Sequence, residues 1–197
     1  MTNSLKNVLA AIDKINSEDV NTTLSDGTKY PKELLYGQRM SACLAKYWPH
    51  ANELLQIAVR AQHIKRWHIA RSEFAQGKAG YYQWRIALGK FHAELTSTIM
   101  LAHGYSSQQA EQTAAIIRKE QLKENSDTQT LEDVACLVFL AHYFDDFASK
   151  YLEQDNEAKI IRIVQLTWRK MSDDAHKIAL TLSLPEHVAT IVNKALA

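Results

Sequence analysis

The residues that interrupt helices are scarce in this 197-residue chain: it holds 6 Gly and 3 Pro. With long Ala/Leu/Gln/Glu/Lys segments between them, that scarcity favours helix throughout. Cysteine is nearly absent. Cys43 and Cys136 lie inside apolar helical patterns and read as buried reduced thiols, and no Cys/His spacing suggests a zinc site. Long hydrophobic runs are missing too. The most apolar stretch, Val134 to Leu140, is far too short to span a bilayer and is flanked by Glu132, Asp133 and His142. Residues 1–15 carry neither a continuous apolar core nor a small-residue cleavage site, so no signal peptide is expected. A cytoplasmic protein without membrane partners follows. A net charge of +1 argues against general nucleic-acid coating. There is no P-loop, no dinucleotide glycine fingerprint, no GxSxG and no HExxH.

What is present is ordinary globular composition, 46% hydrophobic and 23% charged. The length suits one domain over 1–197: an N-terminal helix and polar connection (1–29), a core (30–182) and a C-terminal helix (183–197). Leu5 to Ile15 reads as a short amphipathic helix, and Asp26-Gly27 marks a turn in the polar stretch after it. Pro31 suits the first turn of a helix reaching about Tyr47, and Ala51 to His63 forms the third. Gly77 and Gly80 mark a loop before a long helix from Tyr81 to Ala102, which His103-Gly104-Tyr105 ends. Ser106 and Gln109 open the next as a capping box. A very apolar helix, Thr128 to Lys150, is expected near the centre, with Ala158–Met171, Ser172–Leu182 and Pro185–Leu196 following. No alternating strand pattern is seen, and the predicted fold class is all-α, a single-domain helical bundle.

Charge is strongly segregated. Between Arg60 and Lys90 stand seven Lys/Arg and one acid, Glu73, a surplus of six positive charges. Between Glu124 and Glu157 stand nine Asp/Glu and one Lys, Lys150, a surplus of eight negative charges. Cations gathered with aromatics in one stretch suit an anion such as phosphate. Arg60, His63 and Trp67 would share one face of a continuous helix, with Lys65, Arg66 and Arg71 close behind. The alternative is a solvated basic surface. On the long helix Tyr81, Arg85, Gly89 and His92 form a second stripe beside an apolar one of Trp84, Leu88, Phe91 and Leu95. A mid-helix glycine costs about 1 kcal/mol relative to alanine, so Gly89 implies close approach of a helix or a ligand. Asp133 heads the apolar stripe Leu137, Leu140, Phe144. It reads either as a buried carboxylate for acid/base work or as the end of a Thr130–Asp133 capping box. Glu132 is placed to salt-bridge the basic region, and Lys119 and Glu120, ending the preceding helix, are drawn into the same cluster.

Three blocks carry a resemblance: YPKELLYGQRMSACL; VRAQHIKRWHIARSEF with GYYQWRIALGKFHAE; and IIRKEQLK with LEDVACLVFLAHYFDDF. Together they closely resemble an uncharacterised family of bacterial and fungal proteins, the domain of unknown function four-two-zero-two, over about Tyr30 to Leu182. Members are sometimes labelled glutamyl-tRNA synthetase. Lys170-Met171-Ser172 does match the start of the KMSKS signature of class I synthetases, but no HIGH partner accompanies it. More distantly, LLQIAVRAQHIKRW, HGYSSQQAEQTAAIIRKE and LEDVACLVFL are similar to segments of the HD superfamily of all-α phosphohydrolases. That resemblance maps His63 onto the histidine of the His-Asp pair and Asp133 onto the final aspartate ligand. Ile64 stands where the paired aspartate belongs, and the first histidine falls near Gln38 or Arg39. The resemblance thus implies a phosphate-binding pocket without a metal or other cofactor.

The combined reading is an HD-like helical protein that binds a phosphorylated small molecule or nucleotide in a basic, aromatic-lined cleft. His63, Glu132 and Asp133 would be its catalytic groups, and Arg60, Lys65, Arg66, Trp67, Arg71, Tyr81, Arg85, His92 and Lys119 its ligand contacts. Any turnover would be hydrolysis of a phosphate ester or nucleotide. Two rivals stay open: an RNA-binding module stacking bases on Trp67, Tyr81, Tyr82 and Trp84, and a non-catalytic protein-interaction domain.

Overall fold

Most of the chain folds as helix, as the scarcity of Gly and Pro favours. The computed structural model describes residues 3–152, 154 and 156–196. The order is α1 (Asn3–Asn16), β1 (Thr22–Ser25), β2 (Thr28–Pro31), α2 (Lys32–Tyr47), α3 (Glu53–Ala61), α4 (Gly77–Ala102) and α5 (Ser107–Ile117). There follow α6 (Ser126–His142), α7 (Phe144–Leu152), α8 (Glu157–Trp168), α9 (Asp173–Ala179) and α10 (Glu186–Leu196). Two single turns, Arg66–His68 and Arg71–Glu73, lie between α3 and α4. The fold is all-α apart from one two-stranded sheet among the described residues.

That sheet corrects the reading of residues 16–30 as strandless. β1 and β2 pair antiparallel, Thr22 opposite Pro31 and Ser25 opposite Thr28. Asp26 and Gly27 both take positive φ, 50° and 75°, the two-residue turn whose twist matches paired strands. Four-residue strands are too short for alternation to register in sequence. Asp19 holds the hairpin to α2: one carboxylate oxygen accepts from the Asn21 N–H and the other from the Glu33 N–H.

Helix ends follow local chemistry. Gly104 has φ 86° just beyond α4, and Ser106 and Gln109 exchange side-chain and backbone hydrogen bonds at the start of α5. Three boundaries differ from expectation. Helix α4 begins at Gly77, so Gly80 lies inside it. The expected helix from Thr128 to Lys150 is two helices, parting at Tyr143. Asn125, rather than Thr130, caps α6 by accepting from the Asp127 and Thr128 N–H groups, which places Asp133 in the helix interior and removes its capping-box role.

Contacts gather the chain into two compact units, Met1–Leu131 and Glu132–Ala197, the boundary falling within α6. In the first, α3 packs on α1, α2, α4 and α5, and α4 packs along α5. Leu5, Val8 and Ile12 of α1, spaced i, i+3, i+7, are fully buried in its core with Met40, Ile57, Ile64, Leu88 and Met100. Each such side chain contributes about 1.5–3 kcal/mol of burial. In the second, α7, α8 and α10 pack on one another around Phe144, Ile160, Val164, Val188 and Ile191. No described helix is long and apolar enough to cross a membrane.

Candidate functional site

The first unit contains a cavity of about 320 Å³. Three segments wall it: the turn after α3 with Gln62, His63 and Arg66; the face of α4 with Tyr82, Arg85, Ile86, Gly89, Lys90 and His92; and the end of α5 with Arg118, Lys119 and Glu120. The spacing on α4, i, i+3, i+4, i+7 and so on, is one helical face.

His63 is the most tightly oriented group. Its Nδ1 lies 3.1 Å from Glu33 Oε2, and its ring stacks on Tyr36 at 4.1 Å with 13° between the planes. Tyr36 in turn donates its hydroxyl to Gln62 Oε1. Loss of hydration, then the positive field of Arg66, Lys119, Arg85 and Lys32, holds the imidazole pKa well below 6.5, although 23% of the side chain stays exposed. His63 is therefore neutral at pH 7. With Glu33 ionised, Nδ1–H donates to the carboxylate and Nε2 carries the lone pair. Burial raises the Glu33 pKa above its ordinary 4.5, partly offset by Arg66 and Lys32.

His92 is 2% exposed, and neither ring nitrogen has a hydrogen-bond partner among the described residues. Its ring centroid is 6.2 Å from that of His63. Burial first, then His63 and Arg66, lower its pKa from 6.5 to about 3, against a weak backbone contact with Ile64 and the negative field of Glu33. The buried side of α4 runs through Leu88, His92, Ala93, Thr96 and Met100. The apolar stripe expected to face the core, with Trp84, Phe91 and Leu95, is only half-buried apart from Leu88. Trp84 turns its indole N–H to the Ile69 carbonyl at 3.0 Å, and Arg66 lies 4.7 Å over its ring. Gly89 faces open space: a Cβ there would meet nothing within 4 Å. The glycine is thus an opening onto the cavity rather than a notch for a neighbouring helix.

Residues 6–192 match a family model described as Domain of unknown function (DUF4202). The chain belongs to this family. No curated protein and no solved structure matches it. The family description brings no activity.

Among the residues singled out from sequence, His63, Arg66, Arg85, His92 and Lys119 line this one cavity. Others have different surroundings. Arg60 grips Asp13 with two hydrogen bonds, Nε to Oδ1 at 2.6 Å and Nη2 to Oδ2 at 2.5 Å, and lines a separate cavity with Trp48 and Leu44. Helix α3 ends at Ala61, so Arg60, His63 and Trp67 do not continue along one helical face. Arg71 donates to the carbonyls of Phe74, Ala75 and Gly77 and so holds the loop before α4. Lys65 takes φ 50°, and its backbone N–H donates to Asn16 Oδ1. Tyr81, an exposed residue, accepts from Arg85 at 3.3 Å, and Trp67 is half-buried.

Glu132 and Asp133 belong to the second unit. There Asp133 accepts the Ser172 N–H at 2.8 Å and its hydroxyl at 2.6 Å, while Ser172 caps α9. Glu132 lies 3.5 Å from Lys170. Asp133 thus anchors the start of α9. A metal held as in the HD superfamily would need His63 and Asp133, yet His63 presents its Nδ1 to Glu33 and both Asp133 oxygens accept from Ser172. The described residues contain no group of three His, Cys, Asp or Glu side chains able to hold an ion. This donor set does not fit a metal.

Glu33, Tyr36, Gln62, Lys90 and Arg118 are site residues that sequence reasoning missed. Glu33 sits in the first turn of α2, where an acid reads as a partner of the helix dipole. Nothing local distinguishes it from such a residue.

Proposed function

We propose that the cavity of the first unit binds a phosphorylated small molecule or nucleotide. The observation that carries this reading is the imbalance of charge on its walls. Arg66, Arg85, Lys90, Arg118 and Lys119 line it; Arg118 is ion-paired with both Glu111 and Glu120 at 2.6 Å, so the surplus rests on Arg66, Arg85 and Lys90. A ligand that brings negative charge relieves the mutual repulsion of these cations, and guanidinium groups match phosphate oxygens in geometry. The volume is at the lower end of small-ligand sites. Tyr82 and Ile86, 53% and 60% exposed, add apolar surface along the same wall, suited to a base or a sugar face.

The test is a melting series with ADP, AMP and a sugar phosphate. Ligand at 100 times its Kd should stabilise the fold by about 2.7 kcal/mol. Replacing both Arg66 and Arg85 by alanine should remove that stabilisation and leave the unliganded fold intact. Absence of any shift, or an undiminished shift in the double variant, would remove the basis of this assignment.

A further inference from the structure

We propose that this cavity hydrolyses phosphoanhydrides, with His63 as general base toward a water held between His63 and His92. The inference rests on the anion-binding reading above and adds a reaction to it.

Two features carry it beyond binding. His92 is a buried imidazole whose only polar neighbour from the backbone is a weak contact with Ile64, neither ring nitrogen reaching a full hydrogen bond among the described residues. Each unsatisfied buried polar group costs about 1–3 kcal/mol, so a phenylalanine would pack there at lower cost. Gly89, one turn earlier on α4, keeps the adjoining space open. The second feature is the fixed posture of His63. Glu33 holds Nδ1 and Tyr36 backs the ring, and among the described residues Glu33 is the one side chain hydrogen-bonded to the imidazole, through Nδ1. A centroid separation of 6.2 Å between the two rings can be spanned by one oxygen making two hydrogen bonds of about 2.8 Å.

As the water oxygen forms a bond to phosphorus, its proton passes to His63 Nε2. The bond from that phosphorus to the bridging oxygen breaks, and its electron pair leaves with the departing phosphate. Such a leaving group needs no proton at neutral pH, whereas the alkoxide from a simple ester does. The wall supplies cations in place of a carboxylic acid: Arg66, Arg85 and Lys119 take up the charge on the transferred and departing groups. The Glu33 carboxylate stabilises the imidazolium, which then returns its proton to solvent.

The groups facing His63 also make the base responsive to substrate. Lys32 and Glu33 come from α2, Arg66 from the turn after α3, Arg85 and His92 from α4, and Lys119 from the end of α5. The cations among them suppress protonation of His63. A bound diphosphate neutralises those same cations, so Nε2 gains basicity when substrate is in place.

Phosphate release from ADP and from pyrophosphate, measured with EDTA present, tests this on the full chain. Release should proceed in EDTA and be far slower with AMP, and in labelled water one heavy oxygen should enter the product phosphate. His63→Gln and His92→Phe should each lower kcat by about 10²-fold or more while keeping the ADP-induced melting shift, which also shows that they fold. ADP stabilisation without phosphate release overturns the hydrolytic proposal and leaves the binding site standing. Lack of stabilisation by either compound removes both. Release that EDTA abolishes, or that survives in His63→Gln, overturns the role given to His63.

Discussion

At the scale of single residues, His92 links burial to stability most directly. Burial, followed by the charges of His63 and Arg66, lowers its pKa from 6.5 to about 3. The unfolded chain therefore takes up a proton on this side chain at a pH where the folded chain does not. The stabilisation is complete above pH 6.5 and is lost progressively as pH falls toward 3, at up to about 1.4 kcal/mol per pH unit. Glu33 acts with the opposite sign. Its pKa is raised above 4.5, so its contribution is full below that value and is lost as pH rises through the folded one. A His92→Phe variant retains Glu33 and loses only the histidine's contribution. Urea unfolding at pH 7, 6, 5 and 4 should show the parent losing stability relative to this variant at each acid step. Parallel curves would show that His92 is not held neutral by the fold.

At the scale of elements, α4 contains two interior glycines with opposite reasons for being there. A Cβ on Gly80 would lie 1.9 Å from the Ala75 carbonyl oxygen, where the preceding loop folds back on the helix. A Cβ on Gly89 would meet nothing within 4 Å. The same substitution should therefore change stability in opposite directions. Gly89→Ala should stabilise by about 0.5–1 kcal/mol, the ordinary helix gain. Gly80→Ala should cost about 1–3 kcal/mol, because backbone must move. Gly89→Leu extends the contrast: its side chain enters the cavity, so it should keep the fold and lose ADP stabilisation. Thermal unfolding of the three variants decides this, and equal effects at the two glycines would contradict the packing described. Only one of these positions was legible beforehand. A mid-helix Gly89 asks for an explanation, whereas Gly80 reads as loop until the helix is seen to begin at Gly77.

For the whole molecule, near-neutrality hides a division of charge. The basic stretch from Arg60 to Lys90 is partly consumed within the first unit, Arg60 by Asp13 and Arg71 by loop carbonyls. Arg66, Arg85 and Lys90 remain on the cavity wall. Recognition by a few cations at one cavity should depend weakly on salt, while an extended RNA contact releases many counterions and depends on it steeply. Trp84, a proposed base-stacking platform, has Arg66 over its ring and its N–H on the Ile69 carbonyl. Raising NaCl from 50 to 200 mM should weaken ADP binding only modestly, and an oligouridine of about ten nucleotides should not saturate the protein. A steep logarithmic salt slope with that oligonucleotide would favour the RNA module instead.

The sequence by itself determined the helical class, the capping box at Ser106, the glycine stop at Gly104 and the basic stretch that holds His63 and Arg66. These signals lie in consecutive residues, where hydrogen-bond ladders and apolar periods are set by neighbours a turn away. Only the tertiary structure decided which cations face the cavity, that Glu33 reaches His63 from 30 positions away, and that Asp133 serves Ser172 at a separation of 39. Such pairings depend on how helices are placed against one another. That placement is set by the packing of Leu5, Ile57, Leu88 and the rest of the buried side chains, and no single segment encodes it.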